Sequence, residues 1–192
     1  LHDIGRFEQL KRYDSFEPGT MDHAAYGVKV LFDEGMIRRF LPDDKWDSII
    51  YTAIAHHSDY ELPEISDPQT LLHAKLIRDE DKLDNCRVKL VDSTSTFINV
   101  SEEELGTQNI TQKVYETVFE NKCILSADRV TQMDYWVSYI VYFFDINFKE
   151  SFDIIAENDY LNRIIDRIPY SNPVTKEHLA AFLCIFFLDN YG

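Results

Sequence analysis

The chain has 192 residues, 45% of them hydrophobic, with only six Gly and six Pro. That length can bury a core without staples, and the composition excludes a turn-rich β-sandwich, a collagen-like segment and a disordered chain. Thirty-four acidic residues against 19 basic ones leave a net charge of −15, which argues against sequence-independent binding to long nucleic acid.

Apolar residues recur at helical spacing almost throughout. Ala24, Val28, Leu31 and Phe32 predict a helix over 21–34, ended by Gly35. Trp46, Ile49, Ile50, Ala53, Ile54 and His57 form one apolar stripe that closes on a histidine, and Pro63 and Pro68 then bound a loop. From Thr70 to Leu90 two stripes run side by side: Leu72, Leu76, Leu83, Cys86 and Leu90, and Leu71, Ala74, Ile77 and Val88. A helix apolar on two sides is expected to be central and mostly buried. Ser101 and Glu104 read as a capping box, and a helix follows over about 108–121. Trp136, Val137, Ile140, Val141, Phe144 and Phe148 make a further stripe, as do Phe152, Ile155, Ala156, Leu161, Ile164, Ile165 and Ile168. Pro169 and Pro173 precede a last helix over 175–189, while the β-like stretch Val88–Thr96 alternates poorly. The expected architecture is all-α: a single-domain helical bundle over 1–192, with its motifs in 1–90 and accessory helices in 100–192.

Three cysteines, Cys86, Cys123 and Cys184, are odd in number and far apart, so they offer neither a disulfide framework nor a thiolate zinc site. The most apolar run, Leu179 to Leu188, reaches about half a membrane span. A soluble, cytoplasmic protein is therefore expected, with Phe182 to Phe187 as core or, alternatively, as a homodimer face. The chain opens on Leu1 rather than Met, so an upstream segment is expected to be missing from it. Residues 1–90 carry 12 Lys/Arg against 18 Asp/Glu, and the remainder 7 against 16, so a small anion is better received in the first half.

Four of the six histidines, His2, His23, His56 and His57, fall in the first 57 residues, apart from His73 and His178. His2 and Asp3 are adjacent, and neighbours on a helix diverge by about 100°. Both can grip one ion only where the helix ends or distorts, and Gly5 is expected to supply that break. Mixed nitrogen and oxygen donors suit Mn²⁺, Fe²⁺, Co²⁺, Ni²⁺ or Mg²⁺ better than an all-thiolate cage suits zinc. His57 sits mid-stripe, where an unpaired polar group costs about 1–3 kcal/mol. It is either a core histidine bonded to a carbonyl or a ligand. Periodicity favours His57 over His56, which could serve a second ion or the substrate. His23 opens the 21–34 helix, and Gly27, one turn on, admits a close neighbour. Asp79, Asp81 and Asp84 ride on the 70–90 helix, where a buried carboxylate needs a cation or several donors. Asp79 and Asp81 fall on opposite stripes, and spacing does not choose between them. Lys75, Arg78 and Lys82 share one flank, as structural salt bridges or as an anion site beside a metal.

The motifs His2-Asp3-Ile4-Gly5-Arg6, Asp22-His23-Ala24 with Gly27, Ala53-Ile54-Ala55-His56-His57 and Arg78 to Asn85 together resemble the HD-domain superfamily over residues 1–90. These are α-helical, metal-dependent phosphohydrolases, and the C-terminal half is similar to the added helices of bacterial members. The resemblance implies that His2 and Asp3 are the pair that names the family and Asp81 its distal aspartate. It implies that His23 and one or both of His56 and His57 are the further ligands of two-metal members. It also implies one or two divalent ions, Asp3 accepting a proton from the attacking water, and Arg6, Arg78 and Lys82 holding phosphate, so that Asp3, Arg6 and Lys82 carry the catalysis. The family's first histidine lies on a helix upstream of the His-Asp pair, so the site in this sequence is expected to be one ligand short. Glu80 stands where the family usually has a small residue. The expected activity is hydrolysis of a nucleotide or other small phosphoester. The rival readings are a non-enzymatic HD-like domain that binds a nucleotide or a partner, and a di-iron oxygenase.

Overall fold

The structure is a computed structural model that describes residues 1–16 and 19–191, with side chains as far as residue 183. Cys184 and the aromatic residues after it therefore lie outside the described side chains, whereas Phe182 is buried. Among the described residues there are eleven α-helices and no strand, so the chain is all-α. Among them no helix is long and apolar enough to cross a membrane. The reading of one domain over the whole length meets a finer division: the chain forms two compact units, 1–81 and 82–192.

In the first unit, α1 (Ile4–Tyr13) begins directly after Asp3 and ends at Asp14, which adopts φ 48°. Lys11 and Arg12 occupy its last turn, where positive charge suits the negative end of the helix dipole. α2 (His23–Val28) is capped by Asp22, whose side chain accepts the Ala25 N–H at 2.9 Å. It runs on into a π-helical turn, Lys29–Asp33, and Gly35 at φ 77° stops it. After a 3₁₀ turn at Met36–Arg39 comes α3 (Asp47–Ala55). α4 (Pro68–Val91) is opened by Asp67, whose carboxylate takes both the Thr70 N–H and its hydroxyl. The boundary between the units falls within this helix.

Val28, Leu31, Ile37 and Ile54 form the core of the first unit, and Ile4, Phe32, Ile50 and Ile77 pack on it. Contact between α1 and α2 is set by glycine. A Cβ on Gly5 would overlap the His23 carbonyl oxygen and come within 2.9 Å of Gly27 N. Gly5 thus admits α2 rather than breaking a helix, which corrects the sequence expectation. His2 and Asp3 precede the first helical turn, so the 100° divergence of helical neighbours does not apply to them. A second correction concerns α4. Ala74 and Cys86 are buried, but Leu72 and Leu76 are about half exposed, so the amino-terminal part of that stripe is uncovered.

The second unit contains α5 (Thr94–Phe97), α6 (Glu102–Leu105), α7 (Gln112–Phe119), α8 (Gln132–Ile140), α9 (Lys149–Glu157), α10 (Tyr160–Asp166) and α11 (Pro173–Tyr191). Its core centres on Leu105, Val114, Val118, Met133, Trp136, Val137, Phe143 and Ile164. The Trp136–Phe148 stripe leaves α-helical geometry after Ile140 for a 3₁₀ turn, and the Phe152–Ile168 stripe is interrupted at Asp159, φ 51°. Ser101 caps α6 by accepting the Glu104 N–H at 3.1 Å. Asp134 is fully buried, yet its carboxylate accepts the N–H groups of Thr111, Val130 and Thr131 at 2.9, 3.0 and 3.0 Å. Such a group is satisfied without any cation.

Candidate metal centre

The first unit brings histidines and carboxylates from four elements to one point. His2 and Asp3 stand at the head of α1, His23 opens α2, His57 follows the end of α3, and Asp81 lies on α4. His57 Nδ1 is 2.7 Å from the Ile54 carbonyl oxygen. A carbonyl can only accept, so Nδ1 carries the proton and the neutral ring keeps its lone pair on Nε2. That Nε2 lies 3.1 Å from His23 Nε2 and 3.6 Å from Asp3 Oδ1. His23 Nε2 is 3.3 Å from the same Asp3 oxygen. His2 Nε2 is 3.8 Å from Asp3 Oδ2 and 3.7 Å from Asp81 Oδ1. One donor atom each from His2, Asp3 and His57 fits within a span of 4.8 Å.

Two of these separations, 3.1 and 3.3 Å, have the spacing of donors that share an ion, and the other three, 3.6 to 3.8 Å, are wider. Two donors about 2.1 Å from one cation, at right-angled to tetrahedral spread, are about 3.0–3.4 Å apart. The tautomer matters more than the spacing. With its proton held by Ile54, neutral His57 turns a lone pair into the cluster, where His23 Nε2 at 3.1 Å can supply a proton and a cation could take that proton's place. His57 is therefore in the form a metal ligand needs, with its other nitrogen oriented by a backbone carbonyl. The His57 side chain is 1% exposed and that of Asp3 43%, so the cluster has a buried back and an open front.

Electrostatics follow from the same contacts. Burial works to raise the Asp3 carboxyl pKa, but the hydrogen bond from His23, with the Arg6 guanidinium alongside, holds it well below the usual carboxylate range. The hydrogen bond to Asp81 is the strongest influence on His2 and raises it; burial opposes this, and the charge of Asp3 adds to it.

No family model, curated protein or solved structure matches this chain. The remaining expected site residues are accounted for by their contacts. His56 Nδ1 is 2.6 Å from Asp59 Oδ2, on the surface. Arg6 Nε donates to Asp3 Oδ1 at 3.0 Å, and its Nη1 reaches Gln9 Oε1 at 3.4 Å. Lys82 belongs to the second unit, with Nζ 2.8 Å from Asp145 Oδ2. Glu80 is exposed and Asp79 is 1% exposed. Arg78, expected beside phosphate, is itself buried and donates to the carbonyl oxygens of His56, His57, Asp59 and Tyr60.

Two residues of this region escaped the sequence reading. Gln9 is fully buried and donates to Thr20 Oγ1 at 2.9 Å, holding the loop before α2 while it touches Arg6. Its place one turn beyond Gly5, on the face that meets α2, was the available signal. Asp59 is the other. No pattern marked it, because its partner His56 is set by the turn rather than by helical period.

Proposed function

We propose that this chain is a metal-dependent phosphohydrolase of the HD-domain type, acting on a nucleotide or another small phosphoester. The observation that carries the reading is the convergence of His57 Nε2, His23 Nε2 and Asp3 Oδ1, 3.1 to 3.6 Å from one another, with the His2 nitrogen beside them. His2, Asp3, His23 and His57 would hold a divalent ion, with Asp81 as a further oxygen donor next to His2. Bound there, the ion supplies Lewis acidity and neutralises charge on a phosphoryl group.

The chain's own residues supply the rest. Asp3 is the most exposed member of the cluster, so a substrate approaches over its carboxylate. Its low proton affinity keeps it ionised, and it orients an attacking water by accepting a hydrogen bond. Water adds to phosphorus, the ester P–O bond breaks, and the alcohol leaves with a proton. Arg6, its side chain about a third exposed and adjacent to Asp3, presents the remaining face of its guanidinium to a phosphoryl oxygen. Lys82, paired with Asp145, is not assigned a role in this step.

Elemental analysis of the purified chain, followed by turnover of p-nitrophenyl phosphate and of nucleoside monophosphates with added Mn²⁺, tests the proposal. Stoichiometric metal with ester cleavage that EDTA abolishes is the expected result. Metal without cleavage would leave an HD-like binding domain, and bound iron with substrate-dependent oxygen uptake would make the chain an oxygenase. A chain that binds no divalent ion overturns the reading outright.

A further inference from the structure

Arg78 sits on α4 with 2% of its surface exposed, three residues before Asp81. Its Nη1 lies 3.1 Å from the carbonyl oxygen of His56, 3.3 Å from that of His57 and 2.7 Å from that of Asp59, and Nη2 lies 3.4 Å from that of Tyr60. These carbonyls belong to the turn that follows the end of α3, where helix carbonyls lack intrahelical partners and the helix dipole is negative. Besides the guanidinium, the turn is held by His56 Nδ1 to Asp59 Oδ2 at 2.6 Å and by the His56 N–H to the Thr52 carbonyl at 3.2 Å. Two further backbone hydrogen bonds of the turn are long, 3.5 Å from His57 N to Ile54 O and 3.4 Å from Asp59 N to His56 O.

We infer that Arg78 is the positioning residue for His57: its guanidinium ties the 56–60 turn to α4, and so keeps Nε2 of His57 aimed at Asp3 and His23. The ring's own anchor, Nδ1 to the Ile54 carbonyl, fixes the tautomer but not the path of the main chain that carries the ring. The planar fork sets two terminal nitrogens against carbonyls of one turn, whereas a lysine offers a single nitrogen on a shorter reach. One helix thus supplies the Asp81 carboxylate and the clamp for a ligand from another stretch. The inference rests on the metal reading only for its functional consequence; the clamp itself is a property of the metal-free chain.

The test is Arg78→Lys in the full chain, read in two independent ways. In ¹⁵N-histidine spectra of metal-free protein, wild-type His57 is expected to show a single Nδ1–H tautomer whose proton exchanges slowly, and in Arg78→Lys that proton is expected to exchange at least tenfold faster. With Co²⁺ as the probe, the affinity is expected to fall at least tenfold, the size usual for loss of a group that orients a ligand. Arg167→Lys is the control. That arginine also donates to carbonyls, those of Lys89 and Asp92 in the second unit, so its loss is expected to lower the melting temperature and leave Co²⁺ affinity unchanged. If Arg78→Lys does not fold, amide exchange of wild-type residues 57–60 decides: protection above that of an open turn supports the clamp, and open-turn rates overturn it. Unchanged His57 exchange with Co²⁺ affinity within twofold of wild type also overturns it. If wild type binds no Co²⁺, the metal reading fails while the histidine spectra still judge Arg78.

Discussion

Nε2 of His23 lies 3.1 Å from Nε2 of His57. Since His57 donates from Nδ1 to Ile54, in the neutral pair His23 must supply the proton between the two nitrogens. A divalent ion bound by both rings would take the place of that proton. Zn²⁺ is therefore expected to move the His23 proton from Nε2 to Nδ1 and to leave the His57 tautomer as it was, as read from histidine ¹⁵N shifts. A His23 ring that keeps its Nε2 proton under saturating Zn²⁺ would remove it from the ligand set.

The two aspartates of α4 are expected to fail differently. Asp81, 3.7 Å from His2, is a donor at the cluster, so Asp81→Ala should weaken Mn²⁺ binding at least tenfold with little change in melting temperature. Asp79 is 1% exposed, and Asp79→Ala should cost about 1–3 kcal/mol of stability through the partners it leaves unsatisfied, with metal affinity intact. Calorimetric titration and urea unfolding on the same two variants decide it, and the opposite pattern would exchange their roles.

The pH dependence of stability is expected to change sign with metal. In the metal-free chain the hydrogen bond to Asp81 raises the pKa of His2, so folding favours the protonated ring. That contribution is complete below the unfolded value of about 6.5 and fades as pH rises through the raised folded value. A ligand must be neutral, so the stabilisation given by Mn²⁺ grows over the same window. Melting curves in EDTA should drift down from pH 6 to 8, and those in Mn²⁺ should rise. Parallel curves would disconnect His2 from the ion.

Gly5→Ala is expected to cost about 3 kcal/mol, because the new Cβ meets the His23 carbonyl, which is backbone and cannot swing aside. Gly19→Ala, with no atom within 4 Å of its Cβ, should be neutral to within about 0.5 kcal/mol. Thermal unfolding of both tests whether the α1–α2 approach is as close as it stands. The carbonyl that Gly5→Ala displaces is that of His23, so weaker metal binding should accompany the lost stability.

Asp134 offers a test of stability apart from the cluster. Asp134→Ala strips the acceptor from three N–H groups of the second unit, and about 3 kcal/mol of destabilisation is expected, measured by urea unfolding. Mn²⁺ affinity should not move.

Helical period is a local property, and it made the all-α class, the placement of His57 among apolar residues and the presence of a helix over 70–90 legible from residue order alone. What each helical face meets is not local. Spacing put Asp79 and Asp81 on opposite sides of α4, and only the packing of α1 brought His2 to 3.7 Å from Asp81. The same holds for Gly5, whose lack of a side chain reads equally as a break or as a contact until α2 is seen against it. Arg78 had the composition of a phosphate ligand, yet its acceptors are carbonyls of a turn some twenty residues earlier, and backbone oxygens leave no trace in a sequence. Residue order determined which side chains could carry chemistry; long-range packing decided which of them share a space, because a ligand set is a matter of distance between segments and not of period within one.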